Sequence, residues 1–221
     1  MGLAVSELEL PPKESLGGLL PRFDLTERLV HWLTALFMFT CIATALPLYI
    51  PSLAQLIGRR ELLVVIHVYS GILLVVPTLA GVASKKWGSQ LRDDLKKINR
   101  WDGEDSMWFK SWGRDPLLLP GKFNAGQKAN SAFIAGAILV MLMTGVVMRW
   151  FGPFPVSWRT GATFIHDLLA YMIVIVIVGH IGYAIRYPAT IRAIVSGKVS
   201  RRWASEHAPA WVGELDRLDQ N

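Results

Sequence analysis

The chain contains five histidines, and four of them, His31, His67, His166 and His180, fall in stretches almost free of charge. Imidazole can ligate a metal, carry a proton or simply hydrogen-bond. In a soluble protein a lone histidine is usually structural. In a bilayer an ionisable side chain is costly, and function becomes the default reading. The alternative is interhelical hydrogen bonding. One histidine alone leaves the two readings about even, whereas four at matching depths favour chemistry. His207 lies in a polar tail and receives no role.

The elements that must hold these residues follow from the charge pattern. Residues 29–58, 62–84 and 129–148 carry no Asp, Glu, Lys or Arg, and residues 160–185 carry only Asp167. About 20 such residues suffice for a helix to cross the hydrocarbon core. Backbone groups in lipid must be satisfied within the segment, so the spans are helical. Helices are predicted at 28–50, 61–83, 127–150 and 160–186. Hydrophobic residues make up 52% of the 221, more than a soluble domain tolerates. The expected architecture is an all-α integral membrane four-helix bundle, a single domain over 1–221. The first 27 residues, with Glu7, Glu9, Pro11, Pro12 and Glu14, lack the apolar core of a cleavable signal.

A net charge of +6 raises the possibility of nucleic acid or anionic lipid as a partner. The distribution argues for topology instead, with no nucleic acid. Lys85, Lys86, Arg92, Lys96, Lys97, Arg100, Lys110, Arg114 and Lys122 crowd the loop at 84–126, and Arg192, Lys198, Arg201 and Arg202 follow the last span. The two short loops hold far fewer. By the positive-inside rule the long loop and both termini are cytoplasmic. The loop also carries Trp87, Trp101, Trp108 and Trp112, and is expected to fold on the membrane surface or against a partner.

Depth now sorts the histidines. His31 lies in the first turns of helix 1, which Asp24 or Thr26 can cap. His180 lies near the inner end of helix 4. His67 and His166 each lie roughly 9 Å from the outer ends of helices 2 and 4. The result is an outer pair, His67 with His166, and an inner pair, His31 with His180. His166 and His180 are about 40° from alignment on one helix face and about 21 Å apart along the axis. Two stacked metalloporphyrins fit that spacing, giving two haem b groups with bis-imidazole ligation, which pass electrons and bind no substrate. Zinc, which wants three or four clustered ligands, is a minor alternative. The single Cys41 can form neither an internal disulfide nor an iron–sulfur site, and no CxxCH is present; it reads as a small buried apolar group.

Other residues have ordinary readings. Trp32, Trp150, Trp158, Tyr49, Tyr183 and Tyr187 suit interfacial anchors. Pro47 and Pro77 suit kinks or helix ends. Gly136 and Gly145 suit close packing of helix 3. Arg22, Arg28 and Arg186 could meet haem propionates, or merely set topology. Before helix 3 the chain reads GKFNAGQK, residues 121–128. Free helix N–H groups and the amides of Asn124 and Gln127, beside a flexible Gly126, can hydrogen-bond a carbonyl oxygen. An Asn helix cap is the plain alternative.

With RLVHW at 28–32, IHVYSG at 66–71, GKFNAGQK, IHD at 165–167 and GH at 179–180, residues 20–205 resemble the gamma, cytochrome b subunit of membrane-bound formate dehydrogenases. The histidine layout alone is shared with cytochrome b subunits of nickel–iron hydrogenases and thiosulfate reductases. The resemblance implies that His67 and His166 ligate an outer haem, that His31 and His180 ligate an inner one, and that Asn124, Gly126 and Gln127 line a quinone site. It implies an iron–sulfur partner subunit, a molybdenum or tungsten catalytic subunit, menaquinone or ubiquinone as acceptor, and the bacterial inner membrane. It places no formate chemistry on this chain. A histidine-using proton or ion transporter and a structural membrane scaffold remain as alternatives; both predict a colourless protein.

Overall fold

The computed structural model describes residues 18–220, so the N-terminal segment read above as lacking a signal core lies mostly outside the described residues. Four helices among them are long and apolar enough to cross a membrane: Leu25–Tyr49, Arg60–Ala83, Ala125–Arg149 and Val156–Arg186. The predicted all-α membrane bundle is therefore present. The boundaries agree within a turn, and the last helix starts four residues before the predicted 160.

The chain begins with a short strand β1 (Leu19–Pro21) and enters α1 (Leu25–Tyr49). Asp24 caps α1 and Glu27 reaches back to the Asp24 backbone, so two free helix N–H groups are satisfied reciprocally. Pro47 lies within α1, which stops two residues later. A short α2 (Pro51–Ile57), absent from the sequence reading, crosses to α3 (Arg60–Leu73) and α4 (Val76–Ala83). These last two form one span. The break at Leu74–Val75 follows from Pro77, which has no N–H to offer the carbonyl of Leu73. Next come α5 (Ser89–Asn99), α6 (Gly103–Ser111), α7 (Ala125–Arg149), α8 (Val156–Arg186) and α9 (Pro188–Ser196). Strand β2 (Lys198–Ser200), α10 (Arg201–His207) and α11 (Pro209–Asp219) complete the chain.

The backbones of α1 and α3 pack together, as do those of α7 and α8, and α3 meets α7. By contrast α8 stands off α1 and α3. The mid-depth core is aliphatic: Met38, Leu74, Ala137, Ile138 and Ile173, flanked by Phe37, Cys41, Ile42 and Phe133. Outward faces expose large apolar side chains such as Leu36, Leu79, Phe164, Ile175 and Val178, as suits helices that cross a bilayer.

Apart from α2, the short helices and both strands gather at the end of the bundle where α1 and α7 begin. Strands β1 and β2 pair antiparallel, Leu20 opposite Val199, and bring the two ends of the described chain to one side. Gly197 makes the turn at φ 80°, and a Cβ there would lie 2.5 Å from the Phe23 carbonyl. Its own carbonyl accepts from the N–H groups of Arg22 and Phe23. Behind the ribbon Ala193, Val199, Ala204, Ala208, Trp211 and Val212 form a second core. The loop at 84–126 does not lie alone on a membrane surface: α5 and α6 both pack on α7.

Candidate functional site: two facing histidine pairs and a capped helix mouth

The bundle brings the four span histidines together as two pairs. His31 of α1 faces His180 of α8 with ring centroids 6.2 Å apart, and His67 of α3 faces His166 of α8 at 6.3 Å. A metal–imidazole bond is about 2 Å, and a ring centroid sits roughly 1 Å behind its nitrogen, so rings facing across one metal have centroids about 6 Å apart. Both pairs have that separation. Both also span the gaps where α8 stands off α1 and α3. Imidazoles held this way fit a bis-histidine haem. Among the described residues no three metal-binding side chains converge, so tetrahedral zinc lacks its ligands.

The far pair, His67 and His166, has further preparation. His67 Nδ1 lies 3.1 Å from the Cys41 carbonyl and 3.0 Å from Thr44 Oγ1. A carbonyl only accepts, so Nδ1 carries the proton and the lone pair belongs to Nε2. His166 Nδ1 meets Thr144 Oγ1 at 2.9 Å. Each threonine also reaches a carbonyl one turn back, Thr40 at 2.7 Å and Val140 at 2.8 Å, which can take the hydroxyl proton and leave the oxygen to accept from the ring. Such support fixes tautomer and ring orientation in metal-bound histidines. Among the described residues the loop-side pair has no comparable hydroxyl partner; His31 instead meets Trp32 edge-on at 5.3 Å.

Thr44 and Thr144 were missed from the sequence because a membrane threonine bonded one turn back looks ordinary; nothing short of helix pairing reveals its second partner. Gly145 lies beside the ring of His166, whose Cε1 would be in ordinary contact, 3.6 Å, with an added Cβ. Gly136 differs from its expected packing role, since nothing lies within 4 Å of an added Cβ there.

At the loop side, Asn124 caps α7. Its Oδ1 accepts from Gln127 N at 2.9 Å, and its own N–H donates to Gln127 Oε1 at 3.1 Å. The cap that was the plain alternative is real, and it orients both amides. Each amide oxygen accepts one bond of the cap, which turns the NH₂ groups outward, that of Asn124 toward Tyr183. The side chain of Tyr183, read as an interfacial anchor, meets that of Asn124. Gly126 is not a flexible point. An added Cβ would lie 2.6 Å from the Trp108 ring, and one added at Gly113 would lie 2.6 Å from the nitrogen of the same indole.

The flanking lysines of the motif fasten the loop. Lys122 pairs with buried Asp94 of α5, and Lys128 bonds Asp105 of α6 at 2.8 Å and the Arg100 carbonyl at 2.9 Å. The arginines considered for propionates have other partners. Arg22 is 3% exposed, donates to the Lys122 carbonyl, and stacks over Trp203 and Trp211, each at 5.2 Å. Burial pushes its pKa down to about 10. Arg28 donates to the carbonyls of Ile194 and Val195, and Arg186 lies over Tyr187.

The sequence also matches known proteins. Residues 22–197 match the family described as Prokaryotic cytochrome b561. The chain is 29% identical over 211 residues to the formate dehydrogenase cytochrome b556(fdo) subunit of Escherichia coli K12, covering 90% of this chain and 94% of that protein. It is 27% identical over 202 residues to the formate dehydrogenase cytochrome b556 subunit of Haemophilus influenzae, covering 88% and 83%. The nitrate-inducible cytochrome b556(Fdn) subunit of Escherichia coli K12 is 25% identical over 210 residues, covering 90% and 92%. With its four spans and facing imidazoles, this multi-pass membrane protein is a haem b protein and belongs to the prokaryotic cytochrome b561 family.

Proposed function

We propose that residues 1–221 form one domain, the di-haem membrane cytochrome b subunit of a formate dehydrogenase. It carries electrons from an iron–sulfur subunit, itself fed by a molybdenum or tungsten catalytic subunit, to menaquinone or ubiquinone. The observation that carries the reading is the pair of imidazole separations, 6.2 and 6.3 Å, repeated at two depths. Haem bound at each pair supplies a reversible one-electron iron couple.

The chain's own residues do the rest. His67 and His166 hold the outer centre, His31 and His180 the inner one, and four imidazoles leave no coordination position for substrate. Ile173, seven residues from each α8 histidine, seals the layer between with Met38 and Leu74. Asn124 and Gln127 present amide donors to the two carbonyl oxygens of a quinone, where negative charge develops on reduction. The N-terminus of α7 adds its dipole, and Gly126 lets Trp108 close the wall. The loop side is the cytoplasm of a bacterial inner membrane, in line with the positive-inside bias, so electrons move inward and protons are taken up inside. An inward electron works against the membrane potential by about 2.3 kcal/mol per 100 mV.

The test is haem content and its reducibility by formate in the purified complex. Two haem b per chain by pyridine haemochrome, both reduced by formate, is the expected result. One haem per chain, or two that formate leaves oxidised, overturns it.

A further inference from the structure

Beneath the loop-side pair lies a buried polar cluster that electron transfer does not use. Glu27 sits on α1 one turn before His31. Asp94 comes from α5, Lys122 from the segment before α7, and Arg22 from the turn after β1. All four are nearly inaccessible: Glu27 7%, Asp94 4%, Lys122 7% and Arg22 3% exposed. Glu27 Oε2 accepts from the Asp24 N–H at 2.9 Å and from Gln90 Nε2 at 2.8 Å. Asp94 Oδ2 accepts from Lys122 Nζ. The Glu27 and Asp94 carboxyls are neighbours in this cluster.

The donors on Glu27 are neutral N–H groups, and the one ammonium bonded in the cluster sits on Asp94. A second carboxylate charge buried beside the first is costly, and a shared proton relieves it. The cations around the pair make the ionised state accessible as well. With the proton shared, Arg22 and Lys122 leave the cluster at +1; with the proton gone, the four charges balance. Among the described residues Arg22 Nη1 is a buried donor with no partner, which can meet a second carboxylate charge in the cluster. A buried group with two supported protonation states is what proton transfer needs.

The cluster also reaches the substrate side. Lys122 and Asn124 line a cavity of about 350 Å³ whose wall includes Asp102, Glu104 and Glu214, so Lys122 touches both the cavity and Asp94. We infer that the Glu27–Asp94 pair is the proton donor for the substrate at Asn124 and Gln127, exchanging protons through Lys122 with the cavity that Asn124 also lines. This rests on the quinone reading above.

The stoichiometry closes. A quinone takes two electrons and two protons, its two C=O groups becoming two C–OH groups. Electrons arrive singly through the His31–His180 centre. The pair gives one proton, is reprotonated from cytoplasmic water, and gives the second.

The test uses the whole complex, with haem reduced by formate and reoxidised by menadione in a stopped-flow mixer. Glu27→Gln keeps the shape and the hydrogen bonds but holds no transferable acid proton. Reoxidation slower by about tenfold or more is expected, with an enlarged solvent deuterium effect and haem reduction by formate unchanged. In redox-induced infrared difference spectra the wild type should show a protonated-carboxyl C=O band that shifts in D₂O and vanishes in Glu27→Gln and in Asp94→Asn. Equal reoxidation rates overturn the proposal, because protons then reach the substrate straight from the cavity. A wild type without that band overturns it too, even if neither variant assembles. A wild type that menadione cannot reoxidise instead overturns the quinone reading, and the infrared band still decides whether the pair holds the proton.

Discussion

The Thr144 hydroxyl oxygen and His166 Nδ1 meet across the α7–α8 interface at 2.9 Å, and on the facing helices Thr44 and His67 repeat the arrangement at 3.0 Å. One hydroxyl on each side thus supports the two imidazoles of a single centre. An acceptor on Nδ1–H makes Nε2 a stronger donor and favours the oxidised metal. Thr144→Val, close to isosteric, should raise the midpoint potential of the outer haem by roughly tens of millivolts, under the 59 mV that equals one decade for a one-electron couple. The inner haem should not move. A redox titration in which both haems stay put, or both shift together, would show that the hydroxyl serves packing alone.

His67→Ala removes one ligand of the far pair and touches nothing at the loop side. The expected product retains about half of its haem, with the inner centre spectroscopically intact. Loss of the inner centre alone would mean that the pairs are wired differently from their facing geometry.

Asn124→Asp separates capping from substrate binding. Aspartate caps a helix as well as asparagine, so stability should hold. It has no NH₂ to offer. Haem reduction by formate should persist while quinone reduction slows by about tenfold or more, the loss of one donor to a developing oxyanion. Unchanged turnover would leave Asn124 as a cap and nothing else.

Gly126→Ala tests the wall of the same site. The added methyl would sit 2.6 Å from a Trp108 ring already confined by Gly113. Overpacking of this kind costs about 1–3 kcal/mol, read as a lower melting temperature. Trp108→Phe in the same chain should recover most of the loss. If the double variant melts no higher than Gly126→Ala, the indole is not what that glycine accommodates.

The sequence was most legible where lipid dictates the answer. Charge-free stretches gave the spans to within a turn, and helical rise alone paired His67 with His166 and His31 with His180 as the structure does. Legibility failed where the partner of a residue lies far along the chain. Asp94 and Lys122 are 28 residues apart and Asp105 and Lys128 are 23 apart. As letters they are unremarkable loop charges; as buried pairs they decide that α5 and α6 fold onto α7. The ribbon of β1 and β2 is three residues per strand, too short for any alternation to show. Trp211 and Val212 build a core with Leu20 and Phe23, although the tail past 205 had offered no pattern. Gly126 looked permissive because a glycine reads the same whether it frees the backbone or makes room for a neighbouring ring.

Between the two histidine pairs lies the layer of Met38, Leu74, Ala137, Ile138 and Ile173, each 8% exposed or less and none with a side-chain hydrogen-bond donor. Apolar interiors of this kind stay dry. An electron can tunnel across such a layer, whereas a proton needs a file of water or hydroxyl groups to hop along, and these five side chains offer none. In the proposed function the layer therefore favours one carrier: it lets current cross the bilayer without itself opening a path for the leak that would discharge the voltage.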